Sequence, residues 1–342
     1  MMTQKELFYN RLAGRPVDKI PNLNIVMLFA AKYTGVKYGQ FCSDYRYLAE
    51  AQEKTAEDFG IDILSTMSDP FRETSDYGAS IVFAEDDLPI CKKALLTGPE
   101  DFSKIKIWEP LESTRILDRI RAIEMFKRDM GEKYPILGWV EGPLAEFMDL
   151  TTVSDGMMML LDEPEAVSEV MERITEQAIL CAKAQIEAGA DVIGIGDVVA
   201  SLIGAGTYRE QVRPLEKKMI DAIHAMGAKT KLHICGNINH LLSDIVDTGS
   251  DIVDIDHMVD FEKAIALSAG KCSISGHMNP VKVLLQGTPQ DVKNWTKYCV
   301  EKGSNTNFIS GGCEVPKMTP HENLRAVDVQ LSREKESGLK NW

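Results

Sequence analysis

Positive charge is scarce in this chain. Lys and Arg number 38 against 52 Asp and Glu, giving a formal net charge of -14 over 342 residues. Nucleic-acid binding needs a basic surface that displaces counterions, so the balance speaks against that class and leaves room only for local basic pockets. Long hydrophobic runs are missing as well. The apolar stretches fall short of the ~18 residues that span a bilayer. The polar opening segment, residues 1–14, reads as a helix and lacks the apolar centre of a signal peptide. A disulfide framework is also lacking: the seven cysteines are odd in number and scattered. The expectation is a cytoplasmic protein whose thiols stay reduced and free to bind metal. No G-x-G-x-x-G follows the first strand candidate, which removes the dinucleotide-binding open sheet. No low-complexity segment, short repeat or Gly/Ser/Pro-rich linker divides the chain, so residues 1–342 read as one domain.

What is present is an ordinary soluble composition, 44% hydrophobic and 26% charged, ample for a large core. Short apolar runs alternate with longer amphipathic stretches. Strand candidates are residues 23–27, 63–66, 136–140, 192–195, 231–234, 252–255, 273–275 and 307–310. Residues 165–188 form the clearest helix, opened by Asp162 and Pro164 and stopped by Gly189. Another opens at Thr288-Pro289, and Thr319-Pro320-His321-Glu322 has the pattern of a capping box. Eight strands alternating with helices pair in parallel and close a barrel. The predicted fold is an α/β (β/α)8 TIM barrel with an N-terminal helical extension. The long interval between the second and third strands reads as an insertion, holding a small hairpin over residues 77–91 and a helix over 113–131.

Barrel chemistry sits at the C-terminal strand ends. Those ends carry Asp69, Glu141, Asp197, His233 with Cys235, Asp256 with His257, His277 and Cys313. In Leu232-His233-Ile234-Cys235-Gly236, residues two apart on a strand point the same way, so His233 and Cys235 face one site. Cys313, in Gly311-Gly312-Cys313-Glu314, borders the same mouth, and its glycines let the backbone approach closely. Zinc takes imidazole and thiolate together, and a Cys2His set leaves a fourth position open, the hallmark of a catalytic site. Cys42, Cys91, Cys181, Cys272 and Cys299 read as structural fillers.

This His-x-Cys…Cys arrangement resembles the zinc signature of the corrinoid-dependent methyltransferases of the uroporphyrinogen decarboxylase superfamily, closest in type to methylcobamide:coenzyme M methyltransferases. The resemblance starts at Leu12-Ala13-Gly14-Arg15-Pro16-Val17-Asp18-Lys19-Ile20-Pro21. It continues through Ser68-Asp69-Pro70, Gly138-Trp139-Val140-Glu141-Gly142-Pro143 and Gly196-Asp197, covering nearly the whole chain. It implies a barrel, a zinc ion on His233, Cys235 and Cys313, and methyl transfer between a methylcobamide on a partner corrinoid protein and a thiol such as coenzyme M. Glu141 then stands at or beside the open zinc position, and Asp69 and Asp197 orient ligands or water. Arg72 and Lys317 are candidate anchors for a sulfonate. True decarboxylases of the superfamily hold a tetrapyrrole's carboxylates with arginines near the first strand. Here that stretch, Asn22-Leu23-Asn24-Ile25-Val26-Met27-Leu28-Phe29, has none, and decarboxylation needs no zinc. The alternatives are a demethylating enzyme that passes a substrate methyl (methoxy or methylamine type) to a Co(I) corrinoid protein, a decarboxylase-like activity, and a non-catalytic barrel that binds a corrinoid protein.

Overall fold

The computed structural model describes residues 2–336; residue 1 and residues 337–342 of the expected single domain lie outside them. Nine strands occur among the described residues: β1 (Leu64–Ser65), β2 (Ser80–Val82), β3 (Ile90–Lys93), β4 (Ile136–Glu141), β5 (Val192–Gly196), β6 (Lys229–His233), β7 (Ile252–Ile255), β8 (Ser273–Met278) and β9 (Ser310–Gly311). Seven make one sheet in the order β1-β4-β5-β6-β7-β8-β9, with every pairing parallel. β2 and β3 pair antiparallel apart from it. They form the hairpin expected in the insertion.

The sheet closes through a segment that is barely a strand. Asn22 bridges Ile309 in parallel. Leu23 N–H donates to the Ile309 carbonyl at 2.8 Å, and on the other side Asp62 N–H donates to the Asn22 carbonyl at 2.8 Å. This is the eighth stave of the barrel. The strand expected over residues 23–27 does not extend past that bridge, because asparagine side chains take over its backbone partners. Asn24 N–H donates to Asn22 Oδ1 at 3.2 Å, and Asn24 Oδ1 accepts from Gly311 N–H at 2.8 Å.

The helices follow the sequence pattern closely. The long helix is Pro164–Ala188, ended by Gly189 at φ 116°. Its Gln185 amide clasps β4 at both groups of Trp139, accepting from N–H at 2.8 Å and donating to C=O at 2.9 Å. The helix Pro289–Lys302 carries a reciprocal capping box between Thr288 and Asp291. The box expected at Thr319 is not made. The Thr319 hydroxyl finds no partner, and the last helix instead starts on the Pro320 carbonyl, which accepts from Asn323 and Leu324. Among the described residues no helix is long and apolar enough to cross a membrane.

Inside the barrel, Trp139 is fully buried. A Cβ on Gly194 or Gly196 would fall 2.2 or 2.7 Å from its indole, so those two glycines of β5 leave the space the ring fills. Large and small side chains thus alternate across neighbouring strands, as a filled barrel interior requires.

Candidate metal centre

The parallel register aligns Glu141, Gly196, His233 and Asp254 in one row across β4, β5, β6 and β7. All four lie near the C-terminal ends of their strands. His233 Nδ1 meets Asp254 Oδ2 at 3.0 Å. A carboxylate on Nδ1 fixes the ring and leaves Nε2 as the nitrogen available to a ligand. Cys235 follows β6 immediately, and the next residue, Gly236, donates its N–H to Asp256 Oδ2 at 3.0 Å.

Cys313 comes from the other end of the chain, and its loop is pinned on three sides. Gly311 is held by Asn24, Gly312 N–H donates to the Met278 carbonyl at 2.8 Å, and Glu314 Oε1 accepts from Leu28 N–H at 2.7 Å. Gly312 lies so close to the turn after β7 that a Cβ would sit 2.6 Å from His257 N. The result is one donor cluster: an imidazole nitrogen and the two thiol sulfurs of His233, Cys235 and Cys313 all lie within 4.8 Å of one another.

The proton-bearing groups respond to this crowding. Burial opposes a charged imidazole, but hydrogen bonds with Asp254 and Cys313 lift His233 to about 9. Contact with Cys313 brings the Cys235 thiol down, and the same contact, with burial, pushes Cys313 up. An imidazole oriented through its other nitrogen, with two thiols in reach, fits a borderline-soft divalent cation such as zinc.

The remaining residues expected at the mouth are placed as follows. Glu141 is buried, and its Oε1 accepts from Trp139 Nε1 at 2.9 Å. Burial, then the neighbouring Glu73 and Asp149, hold its carboxyl well above the usual range. Gly196 separates it from His233 in the row. Asp69 is locked to Arg115 at 2.7 Å and to the Ser68 hydroxyl at 2.8 Å. Burial opposes its ionisation, yet Arg115 and Arg72 bring it below its ordinary value. Asp197 accepts from Ala145 N–H at 2.7 Å and so caps the helix Pro143–Leu150. Asp256 holds Gly236 and contacts His257.

His277 turns away from the mouth. Gly276 takes φ 132°, a conformation that breaks the strand's alternation. The His277 ring then stacks on Phe261 at 4.9 Å and meets Trp295 at 5.5 Å, both on outer helices. Arg72 spends its donors on Ser68, Arg115, Asp118 and Cys42, and Lys317 is tied to Asp86 at 2.7 and 3.1 Å. Sequence reasoning missed Asp254 and Lys231. The signal for Lys231 was its two-residue offset from His233; Asp254 becomes visible only once the register of β6 and β7 is known.

Three comparisons bear on this barrel. The family model described as uroporphyrinogen decarboxylase (URO-D) matches residues 3–330. A methylcobamide:CoM methyltransferase, MtbA, of Methanosarcina mazei is 28% identical over 332 residues, covering 95% of this chain and 96% of that one. A methylated-thiol–coenzyme M methyltransferase of the same organism is 28% identical, covering 92% and 85%. Among solved structures, a methyltransferase from Methanosarcina mazei superposes with a TM-score of 0.89 at 24% identity, covering 99% of this chain and all of the other.

Proposed function

From the premise that the chain belongs to the uroporphyrinogen decarboxylase family, we propose that it is a methyl-transferring member: a zinc-dependent methyltransferase that moves a methyl group between a methylcobamide, carried on a corrinoid protein, and a thiol such as coenzyme M. The observation that carries this reading is the cluster of His233, Cys235 and Cys313 at the barrel mouth. Three protein donors of this kind hold zinc and leave a position for substrate, whereas structural zinc is closed by four. The names of the similar proteins point the same way.

Zinc bound there supplies the Lewis acidity that lowers a thiol's pKa and keeps it as thiolate at neutral pH. The residues around it hold and align. Asp254 orients His233, and Asn24 and Glu314 hold the Cys313 loop. Asp69 and Asp197 secure the loops that flank the mouth. Glu141, across Gly196 from His233, aligns the entering group. In the transfer the substrate's carbon–cobalt bond breaks with its electron pair left on cobalt as Co(I). A carbon–sulfur bond forms, and the thiol's proton leaves to solvent. Placement of both partners at the mouth supplies much of the rate.

One observation favours a second reading, in which a methylated substrate gives its methyl to a Co(I) corrinoid protein. Arg72 and Lys317, the expected sulfonate anchors, are both engaged with protein groups. One assay separates the two. Zinc-loaded protein is incubated with methylcobalamin and a panel of thiols, and the cobalamin spectrum is followed. Thiol-dependent loss of the methyl–Co(III) spectrum is the expected result. No loss with any thiol, joined to methylation of Co(I) cobalamin by a methylated donor, would overturn the first reading in favour of the second.

A further inference from the structure

Lys231 is an unusual residue to find inside a barrel. It lies two positions before His233 on β6, so both side chains enter the interior, and it is 1% exposed. A buried ammonium is costly unless it is paired. Its partner is Asp254, through Oδ2, the same oxygen that meets His233 Nδ1. One carboxylate oxygen of β7 thus serves two donors of β6.

The charges of the centre balance in two sets. With a divalent cation bound, two thiolates would match its charge, while Lys231 is already paired with Asp254. Without Lys231 the carboxylate would stand in the barrel interior with the imidazole alone to hold it, free to rotate away from Nδ1. We infer that Lys231 is a positioning residue of the metal centre: its ammonium fixes the Asp254 carboxylate against His233 Nδ1 and so presents Nε2 to the metal beside Cys235 and Cys313. The inference rests on the reading of those three residues as metal ligands.

The test is zinc affinity, measured by chelator competition without thiol or corrinoid present. Lys231→Met and Asp254→Asn are each expected to weaken binding roughly 10- to 100-fold, as loss of a supporting partner does. The double variant should be little weaker than either single one, because both remove the same restraint. Cobalt-loaded Lys231→Met should also show displaced d–d bands, which a remote structural ion pair would leave in place. Lys231→Gln, which keeps a donor and removes the charge, should fall between, and it carries the test if Lys231→Met does not fold. Wild-type affinity and unchanged cobalt bands in the folded variants would overturn the role of Lys231, as would additive losses in the double variant. Failure of the wild type itself to bind zinc would overturn the metal centre as well. Absence of methyl transfer with these affinity changes intact would count against the proposed reaction alone.

Discussion

Replacing Gly312 by Ala probes how tightly the Cys313 loop must sit. The new methyl would lie 2.6 Å from His257 N and 2.9 Å from Asp256 Cα. Both are backbone atoms and cannot rotate aside. Ordinary carbon contacts begin at about 3.4–3.5 Å, so the loop must retreat by about 0.8 Å. A forced shift of that kind in packed structure costs about 1–3 kcal/mol. Metal–ligand distances tolerate only about 0.2 Å, so most of the penalty should appear in metal binding. Zinc affinity should fall roughly 10- to 100-fold, equivalent to about 1.4–2.8 kcal/mol, while far-UV circular dichroism stays that of the wild type. Gly204→Ala is the control: nothing lies within 4 Å of its Cβ position, and its zinc affinity should not change. Chelator competition on the three proteins decides the matter. Wild-type zinc affinity in Gly312→Ala would refute the claim that this close approach sets the position of Cys313.

Purified protein should contain about one zinc per chain, and Cys235→Ala or Cys313→Ala should lose it while Cys181→Ala keeps it; elemental analysis reads this directly. Since two of the three ligands, Cys235 and Cys313, sit half-buried in loops just past the strand ends, chelation should abolish activity and leave far-UV circular dichroism nearly unchanged; collapse of the fold would make the metal structural. Away from the site, burial and then Asp129 and Glu57 push Glu53 up to about 7. A folded-state pKa above the unfolded value of about 4.3 means that the folded chain binds this proton more tightly. Its contribution to stability is therefore highest at acid pH and declines as pH rises from about 4.3 to 7. The difference in denaturant stability between wild type and Glu53→Gln should decline across that window, and a constant difference would show that Glu53 does not titrate there.

The barrel was legible because short strand-like runs alternate with longer helical stretches along the chain. The eighth stave was misread in extent: Leu23, Ile25 and Val26 look like a strand, but the side chains of Asn22, before them, and Asn24, among them, bond to backbone and the ladder ends after one bridge. The donor set was readable from His-x-Cys and the Gly-Gly-Cys loop, since strand periodicity alone places His233 beside Cys235. What supports that set was hidden. Asp254 and Lys231 join it through the register of β6 and β7, which no local pattern encodes. His277 misled for a similar reason: a single positive φ at Gly276 moved its ring to the outer helices.

Thiol activation at the open metal position is the central claim, and X-ray absorption at the zinc edge tests it most directly. Zinc-loaded protein should show two sulfur donors, from Cys235 and Cys313, with nitrogen or oxygen completing the coordination. Adding the acceptor thiol should raise the count to three sulfurs with the loss of one light atom. A sulfur count that stays at two with every thiol tried would contradict the account.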